Sequence, residues 1–346
     1  MSRVAQRLWG VTGVLLLALV ALGLAWRECV DGNSLDSKRG GVFEITPQES
    51  YWSITERLVA EGYAPNQWVV MGYTLLHPRF FKFRSGEYRV DAQERLADFI
   101  QRIHEGRVWL HPVTLVEGWS MTALRQSLNN QAFLDNDLAG VANEDLVAQL
   151  GIERDTPVPN AEGLFAAVTF SVAKHTKQSA ILKQAYALNQ KRLAQVWAAR
   201  DRTIPLQTPY EALILASLIE RETANAEERP LIASVFYNRL NRRMRLQTDP
   251  TVIYALADRY DGHLHHEDLA VDSPYNTYRH EGLPPGPIGL VGLASLQAAL
   301  HPAASEYVYF VASGAGDGRH HFSTTLQEHQ RAVKQYIDQT ASKEHR

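Results

Sequence analysis

The sequence predicts an α+β protein: an apolar N-terminal helix, a small module of mixed helices and strands, and a larger, mainly helical region with a short β-hairpin. Three observations predict it. Leu8 to Trp26 is a run of 19 residues without a charge. Between about residues 43 and 115, short strand-like runs alternate with amphipathic stretches. From Thr208 onward, capped helices succeed one another, interrupted by a Pro/Gly-rich loop and two short strands. The 346 residues suffice for one large or two medium domains, and 45% hydrophobic with 21% charged residues is an ordinary globular balance.

The apolar run nearly matches the roughly 20 residues a helix needs to cross a bilayer. It exceeds the core of a signal peptide and ends in Ala25-Trp26-Arg27-Glu28, a poor cleavage site. Arg3 and Arg7 precede it, while Glu28 and Asp31 offset Arg27 beyond it. The expectation is an uncleaved single-pass anchor over residues 1–27, with a cytoplasmic N-terminus and the rest of the chain outside. Residues 28–42 are polar and Gly-rich and read as a tether. The lone Cys29 permits no intramolecular disulfide and no cysteine-based zinc site.

In the module at 43–115, VFEI and GEYRV read as strands, and SITERLVAEG and Asn66 to Leu76 as helices. AQERLADFIQRIHEG places Leu96, Phe99, Ile100 and Ile103 on one helical face and stops at Gly106. VWLHPVTLVEG returns as a strand. Residues 116–200 read as mostly helical with acidic loops. Thr208-Pro209-Tyr210-Glu211 is a capping box with proline at the first helical position, so a helix starts near Pro209. PLIASVFYNRLNRRM and TVIYALADRY follow as helices. After the loop GLPPGPIG come the helix LASLQAALH, the strands VYFVAS and HHFST, and a last helix opened by the capping box Thr325 to Glu328. A net charge of −3 gives no support to nucleic-acid binding as the main task.

The chemistry concentrates where Ala212 to Ile219 runs into Glu220-Arg221-Glu222. The two glutamates lie about 200° apart on a helix, so only one can face a given cleft. Both can equally be solvated charges at a helix end. The functional alternative is a general acid, because a carboxyl against an apolar wall is pushed up toward neutral pH. GHLHHED (262–268) gathers three histidines and two carboxylates, but its spacing fits a solvated turn better than a metal site. Neither a phosphate-binding glycine loop nor a G-x-S-x-G elbow occurs.

The blocks ASLIERETANAEERPLIASVFYNRLNRRMRLQTDPTVIYAL, SPYNTYRHEGLPPGPIG, HPAASEYVYFV and HHFSTT, in that order, closely resemble the MltG (YceG-like) family of endolytic murein transglycosylases. The likeness covers most of the chain beyond the anchor and is strongest from about Leu215 to Val333. It implies that 43–115 is a LysM-like subdomain and 116–346 a YceG-like catalytic domain. It further implies that Glu220 is the catalytic acid/base and that Gln247, Thr248, Tyr275, Asn276, Thr277 and Tyr278 line the glycan groove. Glu222 is implied to be a supporting, structural residue. No cofactor or metal is implied; the implied partners are peptidoglycan strands, the inner membrane, and penicillin-binding synthases or divisome proteins.

The implied reaction cleaves the MurNAc–GlcNAc β-1,4 bond and leaves 1,6-anhydroMurNAc ends. One block departs from the family. Glu162-Gly163-Leu164-Phe165-Ala166-Ala167-Val168-Thr169-Phe170 carries Ala167-Val168 where the family has Pro-Asp. That departure favours a competing expectation, a non-catalytic wall binder or divisome scaffold. A muramidase with Asp249 or Asp268 as second carboxylate, or a metal hydrolase built on GHLHHED, are the remaining alternatives.

Overall fold

The computed structural model describes residues 3–31, 41–91, 94–153 and 158–344. Most of the tether expected at 28–42 lies outside the described residues. Helices and short strands are mixed, as an α+β chain requires. The chain forms two compact units, residues 1–111 with 171–175, and residues 112–170 with 176–346.

In the first unit, helix α1 (Arg3–Asp31) is followed by β1 (Gly41–Ile45), α2 (Tyr51–Ala60), α3 (Gln67–Leu76), β2 (Gly86–Val90) and α4 (Leu96–Glu105). β1 and β2 pair antiparallel, with Phe43 opposite Tyr88. Alternation puts Phe43 and Ile45 inside, against Leu58, Val70, Phe99 and Ile100. Gly106, in the left-handed region at φ 71°, ends α4 as its sequence predicts. Val30 belongs to this core, and Trp26 packs on it, so the end of α1 is part of the folded unit. Farther up α1, Leu15, Leu16, Leu17, Leu19, Val20, Leu22 and Leu24 are all exposed. Among the described residues, no helix is long and apolar enough to cross a membrane.

The chain continues through β3 (Leu110–Thr114), α5 (Met121–Asn129), β4 (Leu134–Asp135), α6 (Leu146–Gln149), β5 (Thr169–Ala173), β6 (Thr176–Lys177) and α7 (Gln178–Ala198). The stretch 116–200 therefore holds more loop and short strand than its composition predicts. Loop 161–167 is buried, and Asn189 of α7 donates to the carbonyls of Gly163 and Leu164, replacing the partners a helix would have supplied. Then come α8 (Pro209–Glu222), α9 (Arg229–Asn241), α10 (Asp249–Leu256) and α11 (Leu293–Leu300). The hairpin β7 (Tyr309–Ala312) and β8 (His320–Ser323) precedes the last helix α12 (Leu326–Glu344).

α8 is the centre of the second unit, packed by α7, α9, α10 and α11. A helix apolar on every side must be covered on every side. Ala212 to Ile219 are accordingly all buried. Both capping boxes form: Glu211 N–H donates to Thr208 Oγ1 at 3.2 Å, and Glu328 N–H to Thr325 Oγ1 at 3.2 Å.

Candidate active site

Three consecutive charges at the end of α8 go to three different places, as about 100° per residue requires. Glu220 turns toward the loop before α11. Its side chain is 4% exposed; Oε1 accepts from Arg229 Nη2 at 3.0 Å and Oε2 from the Gly292 N–H at 2.9 Å. Arg229, at the start of α9, is itself buried, and its Nε finds no partner among the described residues. Arg221 donates to Ile288 O at 3.3 Å and lines a cavity of about 370 Å³ with Ser120, Asn160, Glu162, Tyr254 and Tyr260. Glu222 lines a second cavity of about 340 Å³, with Arg239, Gln247, Asp249, Tyr278 and His329.

The loop that meets Glu220 is held by short contacts. Ser217, one turn back on α8, accepts the Ile288 N–H at 3.0 Å. On its other side, Gly118 N–H donates to Leu290 O and Leu290 N–H to Trp119 O, both at 2.8 Å. A Cβ on Gly289 would lie 2.8 Å from Gly118 O, so glycine is required for this approach. The same clamp sets Glu117 beside Gly292, where a Cβ would come within 2.2 Å of its carboxylate oxygen. Glu117 is exposed as a residue, yet partial burial of its carboxyl and the Glu220 charge push that carboxyl up, against the opposing pull of Arg229 and Arg192.

The residues expected to line a groove divide into two groups. Thr248 donates its hydroxyl to Glu222 Oε1, and its N–H bonds Thr277 Oγ1 at 3.1 Å. Gln247 sits in the left-handed region at φ 49°, with Oε1 accepting from Arg239 at 3.2 Å. A non-glycine residue there is strained by about 1 kcal/mol or more, a cost tolerated where the position serves function. Tyr278 donates to Asp249 Oδ1 at 2.6 Å. Asn276 is fully buried; its amide donates to Leu269 O and Val271 O while Oδ1 accepts from Tyr278 N–H. It ties the loop together. Tyr275 belongs elsewhere, tilted against Tyr254 at 4.8 Å.

Burial pushes Glu222 up to about 7, with Asp249 adding to the shift and Thr248 and Arg239 opposing it. Glu162 is likewise pushed up to about 7 by burial, although both its oxygens accept from Met121 N–H. In the departing loop, Ala166 and Ala167 are buried, and Val168 O accepts from Leu115 N–H at 3.0 Å. The histidine run forms a 3-10 turn in which His265 N–H donates to Asp268 Oδ2 at 2.8 Å. Among the described residues, no group of three or more histidine, cysteine or acidic side chains could hold a metal ion. Sequence reasoning missed Glu117 and Arg229, because nothing in local spacing joins them to Glu220.

Residues 43–335 match the YceG-like family. The endolytic murein transglycosylase of Bacillus subtilis (strain 168) is 32% identical over 268 residues, covering 74% of this chain and 73% of that protein. The endolytic murein transglycosylase of Streptococcus pneumoniae serotype 2 is 26% identical over 344 residues, covering 89% of this chain and 60% of the relative. The crystal structure of a YceG-like protein from Listeria monocytogenes matches with a TM-score of 0.52 at 26% identity, over 85% of this chain and 99% of that one. The resemblance carried by the sequence blocks is borne out, and the chain belongs to the YceG-like family.

Proposed function

We propose that this chain is a peptidoglycan lytic transglycosylase in which Glu220 is the acid/base. The observation that carries this reading is one acidic side chain at the end of the buried helix α8, fixed at both oxygens by Arg229 and Gly292. The relatives named as endolytic murein transglycosylases supply the substrate class. Glu220 protonates the oxygen linking MurNAc to GlcNAc as positive charge develops at C1. The 6-hydroxyl of the same MurNAc attacks that carbon, gives up its proton to a carboxylate of the site and closes a 1,6-anhydro ring. An intramolecular nucleophile needs no positioned water, which replaces part of the work of a hydrolase site. Arg229 and the Gly292 N–H then stabilise the carboxylate that Glu220 becomes.

On this reading Gln247, Tyr275 and Tyr278 contact sugar rings, while Thr248, Asn276, Thr277 and Glu222 hold the loops that present them. The 43–115 module is LysM-like and holds glycan. Residues 1–27 anchor the chain in the inner membrane with the catalytic region in the periplasm, a reading supported by the seven exposed valine and leucine side chains of α1. Anchoring places the site beside newly made strands, where penicillin-binding synthases and divisome proteins work.

Incubation with isolated sacculi tests the enzyme reading against that of a binder. The parent chain should release soluble muropeptides and Glu220→Gln should not. Cosedimentation of both proteins with sacculi, without release by either, would mean a scaffold.

A further inference from the structure

We propose that Glu117 is the second carboxylate of the Glu220 centre and takes the base half of the acid/base role from Glu220, accepting the proton of the attacking hydroxyl. The inference rests on the transglycosylase reading of Glu220. It begins with placement. Asp249 is engaged by Tyr278 beside Glu222, and Asp268 caps the histidine turn, so neither carboxylate expected from the sequence as a partner contacts Glu220. Glu117 meets it across a single residue. Gly292 donates its N–H to Glu220 Oε2 at 2.9 Å, and its Cα is covered by Glu117, whose oxygens would stand 2.2 and 2.8 Å from a Cβ. The paired backbone bonds between Gly118, Trp119 and Leu290 hold the backbone next to Glu117 against this loop.

The two acids differ in access. Glu220 is nearly closed to water at 4% exposure, whereas Glu117 is exposed. Arg229 bridges the electrostatics of both: it holds Glu220 Oε1 at 3.0 Å and pulls against the upward shift of Glu117. This difference assigns the roles. The enclosed group donates its proton where water would otherwise compete, and the open group exchanges protons with solvent.

The step balances. The proton of Glu220 goes to the leaving glycosidic oxygen, which also takes the electron pair of the breaking C1–O bond. The 6-oxygen forms the new bond to C1, and its proton passes to Glu117. The enzyme ends with Glu220 ionised and Glu117 neutral; Glu117 returns its proton to water, and Glu220 regains one before the next cycle. A single-carboxylate account sends both protons through Glu220.

The full chain, Glu117→Gln, Glu117→Asp and Gly292→Ala are assayed on purified glycan strands across pH, with anhydro ends counted. The charged groups facing Glu117 are Glu220, Arg229 and Arg192. Glu117 must be ionised to act, so the parent rate should fall as pH drops through a limb lying above the ordinary carboxylate range. Glu117→Gln should lose about 100-fold or more in kcat, the scale of general base catalysis, and should lose that limb. Glu117→Asp should keep the limb at reduced rate. Gly292→Ala retains an allowed backbone, at φ −76°, but displaces the Glu117 carboxylate, and should resemble Glu117→Gln with unchanged melting. A Glu117→Gln variant with the parent rate, or with a lower rate and an unchanged limb, overturns the proposal. Absence of anhydro ends from the parent overturns the transglycosylase reading itself, a separate outcome.

Discussion

Glu222→Gln should remove a large share of the pH dependence of stability. In the folded chain this carboxyl is pushed from an ordinary 4.5 to about 7, first by burial and then by Asp249. Its folded value exceeds its unfolded one, so the folded state binds more protons between those limits. Stability is therefore full at the acid end and is lost as pH rises through 7. A shift of this size is worth about 3 kcal/mol. Glutamine keeps an acceptor for the Thr248 hydroxyl and carries no charge at any pH. Urea unfolding followed by far-ultraviolet circular dichroism, at pH near 4.5, 6 and 8, measures the effect. The two proteins should be similar at the acid end, and the variant more stable by about 3 kcal/mol near pH 8. Glu162 has a similar shift and leaves a residual slope in both. Identical slopes for parent and variant would refute the burial argument.

Arg229→Met should cost about 3 kcal/mol in unfolding free energy, because it strands the Glu220 carboxylate at 4% exposure; Arg229→Lys should recover part of that. Gly163→Ala should lower the melting temperature by a loss of about 2 kcal/mol, since φ is +70° and a Cβ would meet Pro287 Cβ at 2.5 Å. A melt indistinguishable from the parent would contradict the packing of loop 163 on the 287–289 segment. The full chain should float with phospholipid vesicles, and Leu16→Arg combined with Leu19→Arg should weaken flotation, since each charge costs about 3 kcal/mol at a span centre. Equal flotation of the double variant would sink the anchor.

Local features were legible in the sequence because local chemistry decides them. The Thr208 and Thr325 capping boxes, the Gly106 stop and the opposed faces of Glu220 and Glu222 all depend on residues within a turn or two. The family blocks also pointed to Glu220 as the residue to inspect. The Glu117–Gly292–Glu220 contact was not legible, since it depends on two loops brought together by backbone bonds between Gly118, Trp119 and Leu290. The left-handed Gln247 was hidden for a similar reason: its neighbours Arg239 and Thr277 come from distant elements. Loop 161–167 lies in a stretch whose composition reads as mostly helical, and its buried carbonyls are answered by Asn189, a long-range partner that no local pattern announces. Asn276 shows the converse, a residue singled out by its block whose side chain is engaged entirely within its own loop.

The central claim is that Glu220 drives closure of an anhydro ring, and the masses of the glycan ends test it most directly. Mass spectrometry of fragments made by the parent chain should find ends lighter by one water than reducing sugars, and none from Glu220→Gln under the same conditions. Reducing ends from the parent, or anhydro ends from Glu220→Gln at the parent rate, would contradict it.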